Sequence, residues 1–235
     1  MAITSWRTPQ RRLIGAALTA AVLSALAFAR IAEDYLTNDP LAQWDVSLAR
    51  WLSNERSAAG TDVFRVLTLF GSPAVALTVA AVVCVVLYRR RLLVEAAFLP
   101  VVLGGGELLN LILKVSFHRA RPDVAFVQLE TYSFPSGHAM IASAAYGALA
   151  YLAWSRYGRR GHLVLIAGTT LFVALIAFSR LYLAVHYLSD VLAGVAAGVF
   201  WLAISIALLA AYGERLAARF TGLRADRLAR RVTRS

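Results

Sequence analysis

Three short stretches hold most of the residues that could do chemistry: "KVSFHRARP" at 114–122, "PSGH" at 135–138 and "SRLYLAVHYLSD" at 179–190. In the last, His186 and Asp190 are four residues apart, which on a helix puts both side chains on one face. A carboxylate there can accept the ring N–H, fix the tautomer and leave the other nitrogen free with raised basicity, the arrangement of an activated nucleophile. In "PSGH", Pro135 fixes the entry to a turn, Gly137 permits close backbone approach to a ligand, and Ser136 supplies a hydroxyl. The unpaired N–H groups of a helix starting there would make an anion site, with His138 in its first turn. Lys114 is the only lysine among 24 basic residues. With Arg121 and Arg180 it forms a trio of cations that needs an anion, and phosphate offers the charge and the oxygens for bidentate contacts.

Each feature has a plainer reading. The cations can snorkel to lipid headgroups, His138 can be a capping residue, and His186 with Asp190 can be a structural pair at a helix start. Taken together they point elsewhere. A metal site would gather more carboxylates or histidines, whereas this set is cation-rich. It suits phosphoryl transfer through a histidine, with positive charge and backbone donors stabilising the phosphoryl oxygens in place of metal ions.

The elements that must position these stretches are membrane helices. The chain has 235 residues, 60% hydrophobic and 16% charged, with several apolar runs near the ~20 residues that span a bilayer core. Such helices have no polar face to give to water, which argues against a soluble helical protein. Six spans are expected, at about 12–31, 63–88, 92–114, 138–155, 162–179 and 190–212. The net charge of +11 is not the footprint of a nucleic-acid partner, because the arginines fall in clusters between spans. These are Arg7, Arg11 and Arg12; Arg89, Arg90 and Arg91; Arg156, Arg159 and Arg160; and seven from Arg215 to Arg234. That pattern marks cytoplasmic loops. Glu33, Asp34, Asp39, Asp45, Glu55, Asp62, Asp123, Glu130 and Asp190 fall in the alternate connections. Both termini are therefore expected in the cytoplasm, with the three stretches outside.

The first span also has the basic start and small-residue exit of a signal peptide; retention is the expectation. Leu41, Trp44, Leu48, Trp51 and Leu52 recur at helical spacing and predict a short interfacial helix. Ser72 and Pro73 predict an interfacial turn that caps a short span. Leu216, Phe220 and Leu223 among the tail arginines predict a helix on the inner leaflet. The fold expected is all-α: a six-transmembrane-helix bundle with a short interfacial helix, forming a single domain over 1–235 with a basic cytoplasmic tail at 213–235. Cys84, the one cysteine, can form no internal disulfide and reads as a small core residue.

At this point the three stretches resemble the signature of the type 2 phosphatidic acid phosphatase superfamily, which also contains the vanadium haloperoxidases. Its lysine, six residues, Arg-Pro motif is matched by Lys114, Arg121 and Pro122. Its Pro-Ser-Gly-His is matched by Pro135 to His138. Its Ser-Arg, five residues, His, three residues, Asp is matched by Ser179, Arg180, His186 and Asp190, with no departure at any motif position. The resemblance implies that His186 attacks phosphorus with Asp190 orienting it, and that His138 protonates the leaving group and later assists water. It implies that Lys114, Arg121, Ser136, Gly137 and Arg180 hold the phosphate oxygens, with no cofactor and no metal.

The function expected is an integral lipid phosphatase that removes a terminal phosphate from a lipid phosphate or diphosphate, of phosphatidate type or undecaprenyl diphosphate, through a phosphohistidine. It is expected in the cell (inner) membrane of a bacterium, multi-pass, with its active site on the extracytoplasmic side. Its partners are the bilayer and a phospholipid or polyprenyl phosphate substrate. The alternatives are a non-catalytic protein binding or moving anionic lipids with the same cationic pocket, and a haloperoxidase, which suits a soluble frame better. Glu107 and Asn110 precede Lys114 on one helical face and are expected to anchor it. Arg119 faces lipid or takes a second phosphate; on the latter reading the substrate leans toward a prenyl diphosphate or phosphatidate. Trp44 and Trp51 are expected to flank an entrance for the lipid chain. His118 and His162 receive no role.

Overall fold

The computed structural model describes residues 10–37, 40–157 and 161–232; in the last helix, side chain 214 and those from 219 onward are outside the description. Arg7, Asp39, Arg159, Arg160, Phe220, Leu223 and the tail arginines after Arg215 therefore lie outside the described residues or side chains. Every described element is a helix. In chain order they are α1 (Gln10–Thr37), α2 (Pro40–Asn54), α3 (Ala58–Leu69), α4 (Pro73–Arg89), α5 (Leu93–Phe117), α6 (Gly137–Tyr157), α7 (His162–Tyr182) and α8 (Leu188–Val232).

Four of them are long and apolar enough to cross a membrane: α1, α5, α7 and the Leu188–Gly213 part of α8. α3 and α4 qualify as a pair, bent by 45° at the break between them. Ser72 caps α4 by accepting the Val75 N–H at 3.4 Å, and Pro73 follows as the first helical residue, where its missing N–H costs nothing. The turn anticipated there thus exists, but the expected second span is a broken helix that begins earlier, at Ala58. α6 is not among the helices apolar enough to qualify, although its 21 residues would suffice in length. The reason is its position. It packs against α4, α5, α7 and α8, and its inward residues are small: Ala139, Ala142, Ala144, Ala145 and Ala148 are buried. Lipid-facing helices carry leucine and valine instead, as α7 does with Leu163 and Val164 exposed.

In a bilayer, packing and hydrogen bonds hold helices together, because lipid is as apolar as leucine. The α6–α8 crossing shows how. Gly194 and Gly198 are one turn apart on α8, and a Cβ on either would lie 2.4 Å from a backbone carbonyl of the other segment, Ser136 and Met140 respectively. This close approach brings the start of α6 against the start of α8. There the Ser136 N–H donates to the Asp190 carbonyl at 2.8 Å. The second and third motifs are thereby joined before any side chain is considered.

The short helix anticipated around Trp44 and Trp51 forms, with both tryptophans exposed. On its other face Ala42, Asp45, Ala49 and Leu52 are buried, and Asp45 is 0% exposed although it sits in a connection rich in acidic residues. α8 also runs on without a break to Val232, well past the span end expected near 212.

Candidate active site

The residues singled out by type and spacing converge. A cavity of about 170 Å³ is lined by Lys114, Arg121, Gly137, His138, Arg180 and His186, six of the eight expected site residues. Pro73 of α4, Glu107 and Asn110 of α5, Ile141 of α6, and Leu129 and Thr131 of the α5–α6 connection complete its wall. Ser136 and Asp190 are fully buried behind this lining.

Asp190 supports His186 from the first turn of α8. Its Oδ2 lies 3.3 Å from His186 Nδ1 and also accepts the Tyr187 N–H at 2.9 Å. With the Nδ1 proton given to that carboxylate, Nε2 carries the lone pair. Nε2 faces the Arg121 guanidinium at 3.3 Å, on the cavity side. Burial, then the positive charges of Arg180, Arg121 and Lys114, hold the His186 imidazole well below its ordinary pKa. The ring is therefore neutral near pH 7, the form a nucleophile requires.

The cations are held by carbonyl and hydroxyl oxygens rather than by carboxylates, which leaves their charge for a ligand. Arg121 donates through Nε to the Thr131 carbonyl at 2.8 Å and through Nη1 to the Val185 carbonyl at 2.7 Å. Lys114 Nζ donates to the Tyr132 carbonyl, and Arg180 Nη1 to the Thr68 hydroxyl on α3. Beside the cavity, two buried donors have no partner among the described residues, Arg180 Nε and the Ser136 hydroxyl. The first intrahelical bond of α6 runs from the Met140 N–H to the Ser136 carbonyl, so the N–H groups of 137–139 have no intrahelical acceptor. The Ser136 N–H itself is taken by Asp190, which narrows the helix-start anion site to the residues that follow. Cations, free N–H groups and unpaired donors around one small cavity are what a phosphate's oxygens require.

Arg119 corrects the sequence reading. It faces neither lipid nor a second phosphate: it is 7% exposed and sits between two buried carboxylates. Nη1 meets Asp190 Oδ1 at 2.7 Å and Nη2 meets Asp45 Oδ2 at 2.8 Å, while Nη1 also donates to the Ser189 hydroxyl at 2.6 Å. The Ser189 N–H and hydroxyl both donate to Asp45. The Tyr35 and Tyr187 rings lie 4.4 and 4.3 Å from the guanidinium carbon, a cation–π contact on each side. The carboxylate that orients His186 is thus tied through Arg119 to the interfacial helix α2. Asp45, Ser189, Thr68 and Thr131 were not anticipated. Asp45 had a signal, as the one charged residue in the stripe of Ala42, Ala49 and Leu52 that α2 buries.

Glu107 and Asn110 line the cavity together with Lys114, and the Glu107 charge supports the ammonium, which donates its hydrogen bond to the Tyr132 carbonyl of the connecting loop. Trp44 and Trp51 are exposed on α2 and are absent from the cavity lining.

The chain is similar to known proteins. The family described as the PAP2 superfamily matches residues 95–213, which contain all three motif stretches. Phosphatidylglycerophosphatase B of Bacillus subtilis (strain 168) is 31% identical over 143 residues, covering 59% of this chain and 70% of that protein. The crystal structure of a transmembrane PAP2 type phosphatidylglycerolphosphate phosphatase from Bacillus subtilis is similar with a TM-score of 0.74. Its sequence identity is 26%, and the likeness covers 79% of this chain and 93% of that one.

Proposed function

The chain belongs to the PAP2 superfamily, and we propose that it hydrolyses the phosphate monoester of a membrane lipid on the extracytoplasmic face of the cell membrane, through a phosphohistidine. The observation that carries this reading is the oriented His186. Its Nδ1 is backed by a buried carboxylate, and its Nε2 faces a cationic cavity that also holds His138.

In the first step the phosphate oxygens lie among Lys114, Arg121, Arg180 and the N–H groups at the start of α6. His186 Nε2 attacks phosphorus, and the N–P bond forms as the P–O bond to the lipid alcohol breaks. Burial and the Arg180 charge hold the His138 ring well below its ordinary pKa, so the proton that it gives to the departing oxygen enters with the phosphate, as the monoanion of the ester. In the second step water takes the place of the alcohol, loses a proton to His138 and attacks phosphorus, so that inorganic phosphate leaves and His186 is restored. The cations are present in ground and transition states alike. Their value is that they are fixed by Thr131, Val185, Tyr132 and Thr68 and need no reorganisation as charge redistributes. A protein that only bound anionic lipids would need the cations but not the His186–Asp190 pair.

Phosphatidylglycerophosphate is the first substrate to try, since both similar proteins are named for acting on it. The lean toward a prenyl diphosphate loses its basis, because Arg119 has no guanidinium edge left for a second phosphate. Purified protein in detergent should release phosphate from phosphatidylglycerophosphate, retain that activity in EDTA and lose it to vanadate, which occupies such sites as a five-coordinate mimic. No release from any lipid phosphate, or release only with an added divalent metal, would defeat the scheme.

Orientation rests on the arginine clusters that alternate with acidic connections. A cysteine at exposed Gln128, in a Cys84→Ala background, should react with an impermeant maleimide on intact cells. Reaction only after the cytoplasm is opened would reverse the topology.

A further inference from the structure

Two acceptor oxygens lining the cavity do not suit a phosphate. Glu107 and Asn110, which carry them, lie one turn apart on α5. Glu107 Oε1 and Asn110 Oδ1 are both buried and have no hydrogen-bond partner among the described residues. The Asn110 side chain hydrogen-bonds Glu107, and these two remaining oxygens are acceptors in an otherwise donor-rich cavity, where a phosphate oxygen brought against either would be repelled. Leaving such atoms unpaired is costly, so a donor from the ligand is the economical way to satisfy them.

Their place says where on the ligand that donor must be. A Cβ on Gly137 would come within 2.9 Å of Asn110 Nδ2. The amide is thus seated directly beside the start of α6, next to the expected phosphate position. Glu107 continues the same line one turn deeper, with apolar Pro73 and Ile141 in the same wall. A donor within reach of both would sit on the alcohol, close to the ester oxygen.

Resting on the phosphatase reading above, we infer that Glu107 and Asn110 form a hydroxyl-recognising subsite. It selects phosphate monoesters whose alcohol bears a free hydroxyl on the carbon beside the ester. A glycerol phosphate headgroup has that hydroxyl; phosphatidate and prenyl phosphates lack it. A site built to pair with a substrate hydroxyl discriminates strongly against the analogue without it, because its own polar groups are then left unpaired.

The test compares kcat/KM of the full chain in detergent for two substrates of equal chain length: phosphatidylglycerophosphate and its analogue deoxygenated at the glycerol carbon beside the phosphate ester. Wild type should prefer the hydroxylated substrate by about tenfold or more. In Asn110→Leu, and in Glu107→Leu, that preference should fall to within about threefold of unity. Asn110→Ala and Glu107→Ala serve as smaller replacements should the leucine variants fail to fold. A wild-type ratio near one overturns the subsite even if phosphate release is brisk. So does an equal loss on both substrates in the variants, as expected if the pair only supports the fold or holds the hydrolytic water. Absence of release from either substrate would instead bring down the phosphatase reading, and the subsite with it.

Discussion

His186→Ala is expected to reduce phosphate release by about four orders of magnitude or more, as removal of a nucleophile does in other hydrolases. The size follows from what remains. His138 shares the cavity, but no carboxylate is bonded to its ring, and the cations alone can bind a phosphate without supplying an attacking atom. Four orders correspond to about 5.5 kcal/mol of transition-state stabilisation. Wild type quenched during turnover on radiolabelled lipid should carry acid-labile, base-stable label, as a phosphoramidate does, and His186→Ala should carry none. A residual rate within tenfold of wild type, or label persisting in the variant, would assign the nucleophile elsewhere. His138→Ala should separate the two steps, because a substrate with a good leaving group needs no protonation. Such a substrate should still label the enzyme, and the label should then turn over slowly.

The site was legible in the sequence because its chemistry is local. His186 and Asp190 are four apart, Pro135 to His138 are contiguous, and Lys114 is separated from Arg121 by a loop-forming stretch. Spacing alone brings each group together. What spacing could not show is which buried partners hold them. Arg119 and Asp45 are 74 residues apart, and their pairing depends on how α2 packs beneath the α5–α6 connection. Periodicity marks Asp45 as part of the buried stripe with Ala42, Ala49 and Leu52, but it does not say which cation meets it, because that is a tertiary fact. The same limit applies to α6. Its apolar run reads as a span, yet its small residues reflect contact with helices on several sides, and only the folded bundle distinguishes protein-facing alanine from lipid-facing leucine.

Asp190 carries two duties that its motif position does not reveal. One carboxylate oxygen faces His186, the other the Arg119 guanidinium. Asp190→Asn therefore does more than disturb a tautomer: it removes a charge that helps neutralise a buried arginine. Loss of stability should accompany its loss of rate, and the catalytic effect is best measured at a temperature where the variant remains folded.

Arg119→Ala is expected to be the more damaging change to the fold, although Arg119 touches no reacting atom. It would leave two carboxylates, both 0% exposed, without their shared cation, and breaking a buried ion pair from one side typically costs about 3–5 kcal/mol. At roughly 2–4 °C per kcal/mol for a chain of this size, melting in detergent should fall by about 10 °C. Asp45→Asn should cost less, because Arg119 keeps Asp190 and the asparagine can still accept from Ser189. The ranking matters as much as the magnitude. If the network positions the nucleophile and does more than fasten α2, Asp45→Asn should lower kcat for phosphate release at temperatures well below its melting point, with KM little changed. Arg119→Lys should recover less than half of the lost stability, since one ammonium cannot reach two carboxylates and the Ser189 hydroxyl in the geometry of a planar fork. An Arg119→Ala protein melting within about 2 °C of wild type would show that Asp45 and Asp190 find other partners. The link from the interfacial helix to His186 would then not be a mechanical one.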